Sequence, residues 1–467
     1  MPRKAKDRVF SSSSTSLPFL LTFTLGVAAG CSSEEPIEEE KEANWAEDIA
    51  PILYESCTSC HIGDSVQTME GIGHFPLLTY NDASTVAIYL QQVALSRRMP
   101  PWPGRGTSDC QSPLGLVDDP SLDSDEILKV LEWSEGELLM GDPADAPNMP
   151  SATETALDSA TQSLFPEVPF EPVAVGDTYR CVLMDPEVER QSWLTGVQVI
   201  PDNRSLLGTV TTLLVEPESV ATLESLVNED GDFDCFALPQ TDGLRYAAMW
   251  SPGASPFEPP TGSGFSAKPG TQILMRTHYH VWTDDLIGAD QSGLSLRWTT
   301  EDPGRDASLV PLGNYETEPE LLRDSNESEA LFELRAGQLG YEEMQIGATE
   351  EQAGQAIWAI GGWMHWAGTE MEISFIDGED NEGCLLGLQD WNPEYVRTYR
   401  FEGETSDFPT WDSDLDLRLR CNYDNSGHNE ALANILEDNG HDSPIDLHLG
   451  DGQLDENCMT LIGLVDP

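Results

Sequence analysis

The chain has 467 residues, 83 of them acidic and 23 basic, for a net charge of −60. That charge repels nucleic acid and anionic lipid surfaces, which excludes a nucleic-acid partner. Hydrophobic residues make up 39%, enough to build cores, and the length exceeds one ordinary domain.

Residues 1–30 are expected to be a leader. Arg3, Lys4, Lys6 and Arg8 start it, and 17–29 is an apolar run too short for an ordinary membrane-spanning helix. The run closes on Val27, Ala28, Ala29, Gly30 and Cys31, which resembles a bacterial lipoprotein signal. That resemblance implies lipidation at Cys31 and a membrane partner reached through the anchor, in the cell envelope outside the cytoplasm. Ala28 stands where the motif prefers Leu. Residues 31–44 form a tether, extended by the like charges of EEPIEEEKE. No later stretch is long and apolar enough to span a bilayer.

From 45 to 145 the periodicity is helical. Trp45, Ile49, Ile52 and Leu53 share a face, although Pro51 limits regularity. Asp82 reads as the N-cap of a helix carrying Val86, Leu90 and Val93 that ends before Met99, Pro100 and Pro101. A last helix opens at Asp123, with Glu126 as its capping-box partner and Ile127, Val130, Leu131 and Trp133 on its apolar side. Between the first two helices lies Cys57-Thr58-Ser59-Cys60-His61, a C-x-x-C-H sequence: two thiols to bond haem vinyl groups and a histidine to bind the iron. A thioredoxin-like redox pair is the competing reading, but it requires a βαβ context. The whole segment resembles a small all-α cytochrome c domain. The resemblance implies haem c, electron transfer with a redox partner that the sequence does not name, and Met99 as sixth ligand, with Met69 and His74 as rivals.

Residues 146–176 read as a linker, with 142–166 rich in Asp, Ala, Pro, Ser and Thr. Beyond it, short alternating runs at 193–200, 206–215, 272–282, 294–298, 357–363, 371–376 and 415–422 are separated by Gly, Pro, Asn and Asp clusters. The pattern predicts all-β jelly-roll sandwiches, one over 177–303 and one over 304–467.

The segments TYRC at 178–181, LRYAAMWSPG at 244–253, ILMRTHYH at 273–280 and RCNYDNS at 420–426 resemble, in order, the copper type II ascorbate-dependent monooxygenases. This is the family of peptidylglycine and dopamine hydroxylases, and it implies two jelly rolls and two separated coppers. One copper is held by three histidines and the other by two histidines and a methionine. Carried over residue by residue, four of the six ligands are replaced. Gly208 and Thr209 stand in place of a His-His pair, Trp363 in place of the first His of His-x-His, and Asn457 in place of Met, so that His278 and His365 alone remain. A rebuilt site draws on His278 with His280, two apart on one strand face, or on His365, His428, His441 and His448 with sulfur from Met364, Met371 or Met459. The loop NEDGDFD at 228–234 weakly resembles a calcium loop without its distal Glu. Trp250, Trp358, Trp363 and Trp366 read as core. The resemblance also implies disulfides Cys421–Cys458 and Cys181–Cys235. Cys110 and Cys384 are left without an assigned partner, and joining them requires contact between the helical segment and the second jelly roll. Two functions follow: a haem electron-transfer or binding protein on a scaffold that has lost its coppers, or a working copper monooxygenase with the haem domain as electron donor.

Overall fold

The computed structural model describes residues 42–61, 76–150, 156–173, 176–204, 206–239, 241–281, 288–314, 323–324, 332–347, 352–378, 382–450 and 452–466. The leader, Cys31, most of the tether, Met69 and His74 lie outside the described residues. Residues 42–150 carry helices: a π-helical turn Trp45–Ile49 running into α1 (Ala50–Ser56), α2 (Tyr80–Thr85), α3 (Ala87–Leu95) and α4 (Ser124–Glu135). Asp123 and Glu126 form the expected capping box at α4. At α2 the cap is Thr79, not Asp82: the Thr79 hydroxyl accepts from Asp82 N–H while Asp82 accepts from Thr79 N–H. The helix then breaks at Val86 before α3 begins.

The strands are β1 (Gln162–Leu164), β2 (Gly176–Met184), β3 (Ser192–Ile200), β4 (Leu207–Val215), β5 (Asp232–Asp234), β6 (Leu244–Trp250), β7 (Ser263–Ala267), β8 (Gln272–Val281) and β9 (Gly293–Thr299). They continue as β10 (Arg305–Asn314), β11 (Arg323–Asp324), β12 (Leu339–Gly347), β13 (Ala356–Trp363), β14 (Gly368–Ile376), β15 (Glu382–Leu388), β16 (Tyr399–Arg400), β17 (Asp416–Asp424) and β18 (Cys458–Val465). Two short helices, α5 (Pro217–Glu224) and α6 (Glu430–Asp438), interrupt them. β17 alternates as an amphipathic strand must, with Leu417, Leu419, Cys421 and Tyr423 fully buried. In β13, by contrast, every residue from Ala356 to Gly362 is buried, so both faces are covered.

β1, β9, β3 and β7 pair in that order, and so do β6, β4, β8, β2 and β5. β10, which begins just after the expected boundary at 303, pairs across it with β6 and β7 and also with β18, and β18 continues to β13 and β16. A second sheet runs β11, β12, β17, β14, β15. The architecture is therefore dominated by β-sandwich layers around one continuous apolar core. Part of the expected linker is structured, since β1 adds an edge strand beside β9.

The helical segment has its own small core around Trp45, Ile49, Leu53, Leu90 and Trp133, but it is not self-contained. Trp102 and Leu116 pack into the β core instead. The stretch 103–117 lies along the second half of the chain: Gln389 N–H donates to Pro103 O (2.9 Å), Gly106 N–H to Gly387 O (3.1 Å), Val117 N–H to Arg400 O (2.9 Å) and Glu402 N–H to Gly115 O (2.8 Å). Cys110 is bonded there to Cys384, with Cα atoms 5.2 Å apart. Cys181–Cys235 and Cys421–Cys458 are the other bridges, at 5.8 and 6.0 Å, the pairings that the family resemblance implied.

Replacing Cys110 and Cys384 together by Ser should lower unfolding stability by about 2–5 kcal/mol and open 103–117 to protease. An unchanged denaturation midpoint with no new cleavage there would mean that the strap holds without its bridge. A second expectation concerns Glu456, 1% exposed, whose carboxyl accepts from His365 N–H (2.9 Å) and Ala367 N–H (2.6 Å). Burial pushes its pKa up to about 8 from 4.5, against those backbone donors. The folded state then holds a proton that the unfolded state releases, so this contribution is complete below about 4.5 and lost as pH rises to about 8. Relative to Glu456→Gln, the wild type should lose about 3–5 kcal/mol across that window, at about 1.4 kcal/mol per pKa unit. Parallel stability–pH curves for the two proteins would refute it.

Candidate functional site

Cys57 caps the end of α1, its N–H closing on Leu53 O. The chain then curls through a turn in which Cys60 N–H and His61 N–H both donate to Cys57 O, at 3.2 and 3.0 Å. Neither Cys57 nor Cys60 is disulfide-bonded. Burial pushes the Cys57 thiol up to about 12, with Cys60 and Glu126 adding to the rise. Burial also raises Cys60, against Ser59, Arg397 and Arg204. Neutral thiols are the opposite of the depressed, thiolate-forming pair that a thioredoxin-like motif needs.

Cys57, Cys60, His61 and Met99 all line one cavity of about 2550 Å³. Its wall is completed from the β-rich part of the chain, where Gly253, Trp366 and Arg397 contribute. Gly253 (φ +82°) turns the loop after β6 so tightly against the motif that a Cβ there would lie 2.8 Å from Cys60 Sγ. Two of the lining side chains hold buried donors without a hydrogen-bond partner, Trp102 Nε1 and Arg397 Nε. The Arg397 guanidinium stands 4.6 Å over the Trp102 ring. The free thiols and the unpartnered guanidinium and indole donors fit a group with anionic substituents. Neither Trp102 nor Arg397 carries a local signal, because the two are distant in the chain.

A second constellation forms on β2 and β8. In their antiparallel register Asp177 faces His280 and Tyr179 faces His278, so all four side chains share one face. Asp177 Oδ1 lies 2.7 Å from His278 Nε2 and 2.7 Å from His280 Nδ1. Side-chain exposure is 3% for Asp177, 2% for His278 and 16% for His280. Burial would raise the Asp177 carboxyl, but the hydrogen bonds and charge of the two histidines outweigh it and hold the group far below its usual range. The ligand atoms of the three residues lie within 4.8 Å of one another, a possible metal-binding group. Asp177 was not among the sequence candidates. Its signal was its place two residues before Tyr179 on a strand that the alternation reading did not identify.

Gly208 and Thr209 do sit beside His278, at the register shift between β4 and β8. A Cβ at Gly208 would stand 3.0 Å from both His278 Nδ1 and its carbonyl. His365 is placed elsewhere, and both of its ring nitrogens are occupied: Nδ1 is 2.7 Å from Asp455 O, and Nε2 is 2.9 Å from Asn457 Nδ2. Burial lowers its pKa, keeping the ring neutral. The two positions are separated by an aromatic column. Tyr179 stacks on His278 at 4.4 Å, Phe236 meets Tyr179 edge-on at 4.8 Å, and Phe236 meets His365 at 6.0 Å. His428 and His448 are exposed and His441 is half-buried. Met364 and Met371 are buried in the apolar core. In the loop over 228–234, Asp232 is engaged by Arg180 and Asn228 and so is spoken for as a calcium ligand.

Among the described residues no helix is long and apolar enough to cross a membrane. No protein-family signature matches the chain, and no curated protein matches it. Among solved structures it is similar to the major capsid protein P2 from Bacteriophage PM2, at 13% identity over 65% of this chain and 97% of that one, with a TM-score of 0.25. It is also similar to a β-porphyranase of glycoside hydrolase family 86 from Bacteroides plebeius, at 8% identity over 64% of this chain and 37% of that one, with a TM-score of 0.15. Likenesses this low leave the sites to be read from their own residues.

Proposed function

We propose that the protein is an exported haem-c electron-transfer protein, lipid-anchored at Cys31, built on two jelly rolls similar to those of the copper type II monooxygenases. The observation that carries this is the cavity shared by Cys57, Cys60, His61 and Met99. Cys57 and Cys60 would bond the haem vinyl carbons, and His61 and Met99 would hold its iron through nitrogen and sulfur. The bound group would supply reversible one-electron chemistry at its iron, with thioether ligation favouring electron transfer over oxygen binding. Trp102 Nε1 and Arg397 Nε would donate to the propionates. The three disulfides suit the oxidising compartment that haem attachment and lipidation both require.

Oxygen-activating copper chemistry is not part of this reading. Both nitrogens of His365 have protein partners, and Gly208 offers no ligand atom. The test is production in a host with cytochrome c maturation. Haem should remain with the protein through denaturation and acid–acetone extraction, and should be lost from a Cys57→Ala, Cys60→Ala variant. Met99→Ala should abolish the methionine-to-iron absorption band and lower the reduction potential. Haem that extracts freely ends the covalent assignment, and an unchanged spectrum in Met99→Ala moves the sixth ligand elsewhere.

A further inference from the structure

We infer that Asp177, His278 and His280 form a binding site for a single divalent first-row transition-metal ion, with two imidazole nitrogens and one carboxylate oxygen as donors. The site is independent of the haem proposal and uses a different donor set from the three-histidine copper position of the family that the chain resembles.

Four observations converge. First, the three donor atoms meet at one point, with both histidine nitrogens 2.7 Å from Asp177 Oδ1. A six-coordinate ion bound at about 2.1 Å needs adjacent ligand atoms about 3 Å apart, and four-coordinate binding opens them slightly further. Second, the other carboxylate oxygen, Asp177 Oδ2, is buried without a hydrogen-bond partner. A carboxylate serving only as a hydrogen-bond acceptor would leave that desolvated oxygen uncompensated, whereas bidentate or bridging contact with a cation uses it.

Third, the rings are held. Tyr179 stacks on His278 with planes 8° apart, and the Arg276 guanidinium lies 4.5 Å over the Tyr179 ring. Gly208 leaves the space that the His278 ring fills. The position where the family resemblance places a ligand is thus spent on seating this ring. Fixing a ligand ring before the ion arrives is what outer-sphere contacts do for metal affinity. Fourth, His280 is partly exposed while its two companions are not, which gives an ion its way in.

The donor set selects the ion. Imidazole with a carboxylate suits zinc, iron(II) and cobalt(II), while reduced copper prefers thiolate or thioether sulfur, and no sulfur is among the donors. Three protein ligands leave coordination positions for water or a small exogenous donor, the pattern of a reactive or exchangeable site.

The test loads chelator-treated, haem-containing protein with zinc, cobalt(II) or anaerobic iron(II) alone. Titration and elemental analysis then count ions beyond the haem iron. One zinc per chain is expected, with zinc-edge X-ray absorption showing two imidazoles and oxygen donors at about 2.0–2.2 Å. Asp177→Asn and His280→Gln should each weaken binding by at least about 100-fold, the upper end of what loss of an outer-sphere partner costs. His280→Gln should also drop the imidazole count from two to one. His365→Gln, outside the site, should leave binding unchanged. Because Asp177→Asn could disturb the buried strand pair, far-ultraviolet circular dichroism accompanies it, and His280→Gln, at a partly exposed position, carries the decision if that variant unfolds. Substoichiometric uptake, or uptake insensitive to His280→Gln, would identify adventitious surface binding and overturn the site.

Discussion

The cavity around the C-x-x-C-H motif depends on one strap. Residues 103–117 are hydrogen-bonded along β15 and β16 and locked by Cys110–Cys384. A helical segment with a core as small as this one has little to hold it against conformational entropy. Tied across 274 positions of sequence, it instead shares the large β core through Trp102 and Leu116. The cavity wall is a consequence. Cys60 meets Gly253, and Arg397 meets Trp102, only because the strap sets the helical part against those loops. The cavity therefore belongs to both parts of the chain, and neither part alone would enclose it.

A second constraint is the register of β2 on β8. Side chains alternate across a strand, so slipping the pair by one residue would put Asp177 and Tyr179 on the opposite face from His278 and His280. The register is pinned at Cys181 and Arg276. Cys181 is opposite Arg276 and bonded to Cys235, while Arg276 Nε donates to Cys235 O at 3.1 Å. The same arginine stands over Tyr179 and over Trp363, carrying the contact from the first β layers to β13. The aromatic column from His278 to His365 fills the space between two positions that the family resemblance would assign to separated coppers. In this chain that space is packed with side chains.

What the sequence disclosed and what it withheld divide along local and non-local lines. The capping box at Asp123, the C-x-x-C-H turn and the alternation in 193–200 and 415–422 are written within a few residues, and they could be read. The even remainder of six cysteines signalled disulfides, but Cys110–Cys384 has no local trace and was left open. Asp177 was missed for the same reason: its meaning comes from the strand opposite, not from its neighbours. β10 was missed because Pro311 and Gly313 interrupt its alternation, although it is the strand that fuses the two β halves. The boundary expected at 303 fell one turn before it. Gly208 and Thr209 stand where the family resemblance expects ligands, and only the geometry shows that the glycine makes room for His278.

Charge placement ties these points together. A chain with 83 acidic and 23 basic side chains surrounds itself with negative potential, and an anionic ligand would be repelled from most of its surface. The scarce arginines are not spread evenly against that field. Arg97, Arg98, Arg105 and Arg397 all line the cavity that holds the C-x-x-C-H motif. Arg105 is paired with Asp390, but the buried Arg397 Nε has no hydrogen-bond partner. A desolvated cation is costly unless an anion meets it. Burying one beside an unpartnered indole N–H makes this cavity the place where the acidic protein can accept a negatively charged group. The second site works with the opposite sign. Asp177 is a desolvated anion shared by two imidazoles, with one oxygen left over, and the missing compensation there is a cation. Each site thus carries a buried polar atom without a hydrogen-bond partner, Arg397 Nε in the first and Asp177 Oδ2 in the second.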